Sequence, residues 1–471
     1  MHWFTFSSTT VALVWIAAAF AAISAARTAR TPQGAIGWVV FLLAAPVAAL
    51  PAYLVFGHHR FRSYRNARRA AEQVVRDMRS YTRTHAGAPV QVKVNTAPFE
   101  AISGLPVCGG NSFELLIDGE ETFRSIFEAI DAAQDYILLQ YYILRADDLG
   151  MDLQKRLIDA AGRGVAVWVI TDSIGCYTLP GSYLEALEDA GIDIAEPVAP
   201  NRPWHRLRVN FRNHRKTVIV DGKTGFTGGL NVGDEYLGKD PAFGAWRDTH
   251  LRVTGPAVQQ LQLSFAEDWH WRTQEPILDL LAWDAEPSDE DRAALVVSTG
   301  PGDNTENGSM LFFSAVTAAR ERVWIASPYF VPDQDVTAAL KHAALRGLDV
   351  RILIPETADH YLPWLAAFAY FDELRAAGVK ILRYRDGFMH QKVFVIDNSI
   401  TAVGTANLDN RSFRLNFETM VLYFDEDSAV RAAQMLERDF TKAQELITPL
   451  EDQKWPVRLL APLARLLAPV L

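Results

Sequence analysis

Two stretches near the amino terminus carry no charged residue and are each long enough, as a helix, to cross a bilayer. Residues 1–26 contain no Asp, Glu, Lys or Arg, and after two arginines the uncharged stretch 31–56 follows. Roughly 20 apolar residues span the hydrocarbon core. The pattern therefore predicts an amino-terminal hairpin of two transmembrane helices. Pro46 and Pro51 would kink the second stretch, so it either spans or re-enters the membrane.

Arginines that follow the second stretch predict its orientation. The segment 60–69 carries five of them, against two in the short loop between the stretches. By the positive-inside rule, the amino terminus and the large carboxy-terminal portion then lie in the cytoplasm. A cleaved signal peptide would need a basic segment ahead of the first stretch, which the chain lacks.

Beyond residue 111 the apolar pattern changes to short buried strands that alternate with amphipathic helices. Residues 136–143 (YILLQYYI) have the short apolar and aromatic composition of a buried strand, and 153–163 predict a helix ahead of the strand 165–171. The same alternation returns from 323 to 382. It is typical of α/β domains.

The second half of this region repeats the first in residue type. AAGRGVAV at 160–167 matches AALRGLDV at 343–350, and LEDAGIDI at 187–194 matches LRAAGVKI at 374–381. The sequence therefore predicts an internal duplication of one α/β unit, joined by a polar, Pro-containing linker around 275–294. The predicted segments are the membrane hairpin 1–59, a helical connector 60–110, the repeats 111–280 and 281–450, and a hydrophobic tail 451–471, either interfacial or packed on the body.

Composition narrows the class of protein. The chain has 471 residues, of which 49% are hydrophobic and 22% charged, as in a globular protein of two or three domains. Its formal net charge of −10 argues against a nucleic-acid partner, which usually needs a basic face. The cysteines Cys108 and Cys176 are expected to be reduced, which is compatible with a cytosolic location of the soluble part.

One polar motif occurs twice in the same register. His214, Lys216 and Asp221 stand in HRKTVIVD, and His390, Lys392 and Asp397 stand in HQKVFVID, 176 positions later. Each run continues to a turn of small residues that ends in Asn: GGLN at 228–231, with Asn231, and GTAN at 404–407, with Asn407.

The motif predicts chemistry on a phosphate. Strand alternation places the His and Lys of each copy on one face. Two copies that meet supply two imidazoles and two ammonium groups, and the two Asn amides can donate hydrogen bonds to phosphoryl oxygens. One imidazole attacks phosphorus while the other protonates the leaving alkoxide and later deprotonates the incoming hydroxyl. We expect no metal and no cofactor, and the motif alone leaves open which histidine is the nucleophile.

Carboxylates at equivalent downstream points are candidates for orienting the imidazoles. Asp248 stands in WRDTHLRV and Glu418 in NFETMVLY, each ahead of an apolar strand. We expect Asp248 to orient His214 and Glu418 to orient His390. Asp221 and Asp397 belong to the motif, but we expect them to hold loops or lysines rather than to touch phosphorus. The basic run from Arg202 to Arg215 is either a solvated face or an attraction for anionic headgroups.

The signature HxKxxxxD followed by GG/GTxN is that of the phospholipase D superfamily, and both copies match it in full. With WRDTH at 246–250, SPYFVPD at 327–333 and NLDNRSFRLNFE at 407–418, the chain resembles the bacterial cardiolipin synthases over essentially its whole length. The resemblance implies two phospholipase D-like α/β domains related by a pseudo-twofold axis. It also implies transfer of a phosphatidyl group from one phosphatidylglycerol to another, with release of glycerol, at the inner membrane of a bacterium. Within this resemblance either histidine could be the nucleophile, and we favour His214, with His390 as the acid and base. In the first copy Gly229 stands where many superfamily members have Ser.

Other functions stay open at this point. A hydrolytic phospholipase D, or a phosphatidyltransferase that uses another alcohol such as serine, shares the covalent step. A nuclease built on the same motif fits poorly with the hairpin and the acidic charge. An inactive scaffold is disfavoured because neither motif copy has lost a residue. The expected partners are phosphatidylglycerol and other membrane phospholipids, the bilayer itself and no nucleic acid, and a homo-oligomer is compatible with the sequence.

Overall fold

The computed structural model describes residues 8–29, 32–57, 92–195, 212–303 and 305–471. They belong to two compact units, Met1–Gln73 and Val74–Leu471. The predicted connector helix, the arginines of 60–69 and the basic residues from 202 to 208 lie outside the described residues.

Three helices make up the described part of the amino-terminal unit. They are α1 (Ser8–Thr28), α2 (Pro32–Ala44) and α3 (Pro46–Phe56). Among the described helices, α1 alone is long and apolar enough to cross a membrane. The stretch 31–56 does not form one continuous helix, because Pro46 cannot continue the hydrogen bonding of α2 and Ala45 adopts non-helical angles. Pro51 is accommodated inside α3.

The second unit is a mixed α/β structure. Its strands are β1 (Cys108–Asn111), β2 (Glu114–Ile117), β3 (Tyr136–Tyr141), β4 (Ala166–Thr171), β5 (Asp193–Ala195), β6 (Arg212–Asn213), β7 (Thr217–Val220), β8 (Thr224–Gly228), β9 (Trp246–Arg247), β10 (Thr249–Thr254), β11 (Arg292–Thr299), β12 (Arg322–Ala326), β13 (Phe330–Val331), β14 (Asp349–Pro355), β15 (Lys380–Tyr384), β16 (Phe388–Met389), β17 (Val393–Ile396), β18 (Ile400–Gly404), β19 (Leu408–Asp409), β20 (Asn416–Tyr423) and β21 (Ala443–Glu445).

Helices cover both sheets. They are α4 (Ala97–Ser103), α5 (Asp118–Ala132), α6 (Asp148–Gly162), α7 (Gly181–Asp189), α8 (Ala257–Thr273), α9 (Asn307–Ala318), α10 (Gln334–Leu345), α11 (Tyr361–Ala376), α12 (Asn410–Arg414), α13 (Glu426–Thr441) and α14 (Trp455–Arg465). The helices and strands predicted between 120 and 195 and between 323 and 382 are present, with bounds shifted by a few residues.

The strand order occurs twice. The first sheet runs β2-β10-β8-β7-β3-β4-β5, and the second contains β11-β20-β18-β17-β12-β14-β15 in the same order, extended by β1 and β21 at its edges. Corresponding neighbours also pair in the same direction: β7 is antiparallel to β3 and β17 to β12, whereas β3 is parallel to β4 and β12 to β14. The shared strand order and pairing directions confirm the predicted duplication of an α/β unit.

Alternate residues of the central strands serve two different cores. In β3, Ile137 and Leu139 pack with α5 and α6 of the first repeat. Leu138, between them, belongs to a core that also contains α8 and apolar residues of the second sheet, such as Leu295 and Val297 of β11. Because this second core is continuous, the two repeats form one body and their central strands are held in a fixed relation.

Candidate active site

Each His-x-Lys run enters a central strand of its own repeat but starts on a strand of the other repeat. The two residues before His214 form β6, which pairs in parallel with the start of β20, and the His214 amide donates to the Phe417 carbonyl over 3.0 Å. The two residues before His390 form β16, which pairs in parallel with β9, and the His390 amide donates to the Arg247 carbonyl over 2.8 Å. The chain therefore crosses between repeats at both motifs.

This crossing decides which carboxylate meets which imidazole. His214 Nδ1 lies 2.9 Å from Glu418 Oε2, and His390 Nδ1 lies 2.9 Å from Asp248 Oδ2. The pairing expected from the sequence, Asp248 with His214 and Glu418 with His390, is wrong. The His amide bonds to the residue just before the carboxylate of the opposite repeat, so the imidazole stands next to that carboxylate. Each imidazole–carboxylate pair thus contains one residue from each repeat.

Both carboxylates are buried and held by further hydrogen bonds. Glu418 is 0% exposed and accepts from the hydroxyls of Thr405 over 2.6 Å and Ser412 over 2.8 Å. Asp248 is also 0% exposed and accepts from the Thr249 amide over 2.8 Å. Since these donors bond the ionised form, and the facing imidazole and lysine add to them, the pKa of each carboxyl lies below its usual value despite burial.

Sterics explain why Gly229 stands in the first motif where many superfamily members have Ser. A Cβ atom at Gly229 would lie 2.0 Å from Asp248 Oδ1. The carboxylate of Asp248 therefore occupies the space that a side chain at 229 would need. At the equivalent position of the second motif, Thr405 has a side chain and uses its hydroxyl to bond Glu418. The two halves of the site are equivalent in plan but differ in how the carboxylate is held.

The imidazoles are neutral over most of the pH range. Burial lowers the pKa of His214 to about 4, although Glu418 opposes the shift. Burial also lowers the pKa of His390 to about 4, with Lys392 adding to the effect and Asp248 opposing it. A neutral imidazole whose Nδ1–H donates to a carboxylate keeps its Nε2 lone pair. That is the form required of a nucleophile or a general base.

The two lysines lie inside the site and not at its surface. Lys216 is 0% exposed and its Nζ donates to the His214 carbonyl over 2.7 Å. Lys392 is 1% exposed, and its Nζ lies 3.0 Å from Nε2 of His390. Burial lowers the pKa of Lys216 to about 7 and that of Lys392 to about 8. An anion beside them would favour their charged form.

The two motif asparagines differ in their contacts. Asn231 Oδ1 accepts from the Ile143 amide over 3.2 Å, and its Nδ2 donates to the Tyr236 hydroxyl over 3.1 Å. Asn407 donates its backbone amide to Ser412, and its Oδ1 is buried without a hydrogen-bond partner among the described residues. The predicted donation to phosphoryl oxygens remains a prediction for both.

Asp221 and Asp397, counted with the catalytic set on the basis of the motif, bond backbone amides in the structure. Asp221 has a φ of 53° and its carboxylate accepts from the backbone amides of residues 134, 135 and 136. Asp397 has a φ of 52° and accepts from the amides of 320, 321 and 322. Each carboxylate thus fixes the turn that leads into the neighbouring central strand, at the far end of β7 or β17. These contacts agree with the expectation that Asp221 and Asp397 hold loops.

Several side chains that support the site were not singled out from the sequence. The Tyr142 ring lies 5.1 Å from that of His214, and the Trp246 ring 5.2 Å from that of His390. Arg247 binds Asp439 through two hydrogen bonds of 2.9 and 2.7 Å. The position of Arg247, next to Asp248 on a strand, could have indicated that it points to the opposite face.

Arg215 shows the same alternation and corrects an expectation. The sequence placed it in a basic run that is solvated or attracts headgroups, but it is 2% exposed. It lies 2.7 Å from Asp268 and donates to the Glu418 carbonyl over 3.2 Å. Since His214 and Lys216 face the site, the residue between them faces the interior. Among the described residues, no three His, Cys, Asp or Glu side chains lie close enough to hold a metal ion.

Comparison with known proteins agrees with this geometry. Residues 126–269 and 312–443 match the family described as "Cardiolipin synthase, PLD-like domain". The chain is 44% identical to cardiolipin synthase A of Pseudomonas fluorescens over 98% of each chain. It is 46% identical to cardiolipin synthase A of Pseudomonas syringae pv. syringae over 96% of this chain and 95% of that protein. In fold it is similar to the crystal structure of phosphatidylserine synthase from Haemophilus influenzae, with a TM-score of 0.60, 15% identity and coverage of 80% of this chain and 99% of that one.

Proposed function

The chain belongs to the cardiolipin synthase family with phospholipase D-like domains, and we propose that it joins two phosphatidylglycerol molecules into cardiolipin with release of glycerol. The single observation that carries the mechanism is the pair of crossed His–carboxylate contacts, each 2.9 Å long and buried. They engage Nδ1 of both imidazoles with carboxylates, which leaves Nε2 as the ring nitrogen for the proposed chemistry.

In the first half-reaction, Nε2 of His214 attacks the phosphorus of one phosphatidylglycerol. A bond from nitrogen to phosphorus forms, and the bond from phosphorus to the glycerol oxygen breaks. The other imidazole, His390, gives its proton to the departing glycerol. Both imidazoles are neutral without substrate, since burial lowers the pKa of each to about 4. The bound phosphodiester anion favours the protonated form of the imidazole that acts as the acid.

In the second half-reaction, the terminal hydroxyl of another phosphatidylglycerol attacks the same phosphorus. His390, now neutral, takes the hydroxyl proton, the nitrogen–phosphorus bond breaks, and cardiolipin leaves. The proton taken restores the acid that began the cycle, so no other reactant is needed. The carboxylates of Glu418 and Asp248 act as positioning groups that hold the imidazoles and stabilise their charged forms.

The lysines and asparagines would stabilise the phosphoryl oxygens. Lys216 and Lys392 are buried, so their charges act through a medium of low dielectric, where an ammonium group stabilises the developing negative charge more than in water. Asn407, whose side-chain oxygen is unpaired among the described residues, retains its amide nitrogen for a phosphoryl oxygen. The role of the lysines is supported by their contacts with His214 and His390.

We further propose that the two repeats, 111–280 and 281–450, are related by a pseudo-twofold axis that passes between the two histidines. The identical strand order and the reciprocal crossing of β6 and β16 support this symmetry. A site on such an axis explains why one chain carries both copies of the motif: half of the pair, on its own, would contain a histidine without its carboxylate.

The membrane arrangement is also a proposal. The helix α1 is of the length and composition to span the bilayer. The stretch 31–56, with its break at Ala45, would cross or re-enter next to it, and the catalytic portion would face the bacterial cytoplasm as the arginines of 60–69 predict. Labelling of cysteines placed at residues 30 and 95 in sealed cells would test this topology. With a cytoplasmic body, both positions should be protected from an impermeant reagent if the stretch re-enters, which leaves α1 as a single span. If the stretch spans, 95 alone should be protected.

Product analysis tests the function. The purified protein is incubated with phosphatidylglycerol, with and without added alcohols, and the products are identified by mass spectrometry. We expect cardiolipin with an equimolar amount of glycerol. Phosphatidic acid as the sole product would identify a hydrolase, and incorporation of serine in place of the second lipid would identify a different transferase. Either result would overturn the proposed reaction while keeping the covalent step.

A further inference from the structure

The carboxy-terminal helix α14 presents its large apolar side chains outward. Its inner face is made of small residues: Ala461, Ala464 and, in the following turn, Ala468 are buried against the body. Leu463 is 55% exposed and Leu466 75% exposed. The outward-facing set, called the leucine face below, consists of Trp455, Leu459, Leu460, Leu463, Leu466 and Leu467. A helix that only covered a soluble core would place its leucines inward, so the leucine face indicates an apolar partner.

The helix is fixed in this orientation by specific contacts. The guanidinium group of Arg465 donates to the Ala369 carbonyl over 3.0 Å, lies 3.2 Å from a carboxylate oxygen of Glu373, and stands 4.3 Å from the ring centroid of Tyr370. All three partners belong to α11, on which α14 packs. Rotation of α14 to bury its leucines would break these contacts and expose the alanines that are now buried.

The end of this segment is joined to the active site. A backbone oxygen of Leu471 accepts from the Arg411 amide over 2.7 Å. Arg411 precedes Ser412, whose hydroxyl donates to Glu418, and Glu418 holds His214. The short helix α12 therefore contacts the leucine-rich segment on one side and the carboxylate of the active site on the other.

The charge of the segment indicates which apolar partner fits. Residues 454–471 contain the exposed cations Lys454 and Arg458 and no Asp or Glu, while Arg465 is paired with Glu373 on the body. Cations that flank an apolar helix face complement a membrane surface rich in anionic lipid. We infer that the leucine face inserts into the headgroup region of an anionic bilayer and holds the α12 side of the active site at the lipid surface. The inference rests on the proposed function, because the phosphate of a phospholipid substrate lies in the headgroup region.

Quenching by brominated lipid tests the contact directly and does not depend on activity. Leu463→Cys is labelled with an environment-sensitive fluorophore in a background where both natural cysteines are replaced by Ser, and the full chain is reconstituted in phosphatidylglycerol vesicles. Brominated acyl chains should quench this label by about half or more. The matched control Met151→Cys, whose native side chain is 48% exposed on α6, should be quenched little.

A second measurement separates the leucine face from folding and from the chemistry. The triple variant Leu459→Gln, Leu463→Gln, Leu466→Gln should lose roughly tenfold or more of its rate on phosphatidylglycerol in vesicles. On monomeric short-chain phosphatidylglycerol, and in thermal unfolding, it should match the parent protein. Equal loss on both lipids, unchanged rates on both, or crosslinking of Leu463→Cys to a second chain without lipid quenching would overturn the inference. Quenching in a protein that makes no cardiolipin would overturn only the proposed function.

Discussion

The crossed pairs predict that Asp248→Asn reproduces the defect of His390→Ala and not that of His214→Ala. The substitution keeps the size of the side chain and an oxygen that accepts from the Thr249 amide, a bond of 2.8 Å in the parent. It removes the negative charge that lies 2.9 Å from Nδ1 of His390. The imidazole then loses the group that stabilises its protonated form, and with it the ability to act as an acid.

The size of the effect follows from the burial of the pair. Asp248 is 0% exposed, so its charge is weakly screened by solvent. General acid–base catalysis by a positioned side chain contributes about 10² to 10⁴ in rate, which corresponds to roughly 3–5 kcal/mol of the barrier. We expect turnover of phosphatidylglycerol by Asp248→Asn to fall within this range.

A substrate that needs no acid separates the two histidines. In phosphatidyl-p-nitrophenol the leaving group departs without a proton, so the release of p-nitrophenolate in the first turnover depends on the nucleophile alone. With His214 as the nucleophile, Asp248→Asn and His390→Ala should keep this burst and lose turnover of phosphatidylglycerol. Glu418→Gln and His214→Ala should lose both.

The same variants and substrates also give the results that would refute the reasoning. If Asp248→Asn follows His214→Ala across the two substrates, the carboxylates serve the histidine of their own repeat and the crossed geometry is wrong. If Asp248→Asn follows His390→Ala but both lose the burst, the crossed pairing stands and the roles of the two histidines are reversed. Thermal unfolding of all four variants provides the control for folding.

Three further outcomes are expected. First, burial lowers the pKa values of the two lysines to about 7 and about 8, so kcat/KM should fall as pH rises through 7 to 8, where the ammonium charges are lost. Burial lowers the pKa values of the two histidines to about 4, so kcat/KM should also fall as pH falls toward 4, where the nucleophile is protonated. A pH–rate profile that rises from 7 to 9 would contradict this. Second, Asp221→Ala should cost about 2–4 kcal/mol of stability, because three backbone amides lose their acceptor and Ala must adopt a positive φ; denaturant unfolding measures it, and unchanged stability would refute the anchoring role. Third, Gly229→Ala should lower kcat about 10²-fold by displacing the Asp248 carboxylate, whereas Thr405→Ala, which removes one hydrogen bond to a carboxylate that keeps others, should cost only about tenfold; equal effects would contradict the steric argument.

The sequence was sufficient to predict the duplication, and it identified the His and Lys residues that the structure buries near Asp248 and Glu418. A strand reveals its face by alternation, so His214 and Lys216 could be placed together, and the constant spacing of the second copy carried the argument to His390. The strands β7 and β17 begin directly after Lys216 and Lys392. These features depend on residues near one another in the chain, where local geometry controls the outcome.

The pairing of histidines with carboxylates could not be derived in the same way. It depends on two-residue segments, β6 and β16, whose pairing with the opposite repeat leaves no periodic signal. Proximity along the sequence favoured Asp248 for His214, but hydrogen bonds between the repeats decide otherwise. Long-range register of this kind is set by packing of the whole body and not by local pattern.

The helix α14 shows a similar limit. Its sequence predicted an apolar, Pro-containing segment that lies in the interface or packs on the body. The structure shows packing on the body through alanines, which leaves the leucines available for the interface. When a helix has one apolar face of small residues and another of large residues, composition alone does not tell which of the two packs on the body.

Trapping of the covalent intermediate tests the central claim most directly. His390→Ala is mixed with phosphatidyl-p-nitrophenol, quenched within the first turnover under conditions that preserve phosphohistidine, and digested for peptide mapping by mass spectrometry. The crossed site, with His214 as the nucleophile, predicts one phosphatidyl group on the peptide that contains His214. A phosphatidyl group on any side chain other than a site histidine, or a full burst of p-nitrophenolate without a covalent adduct, would contradict it.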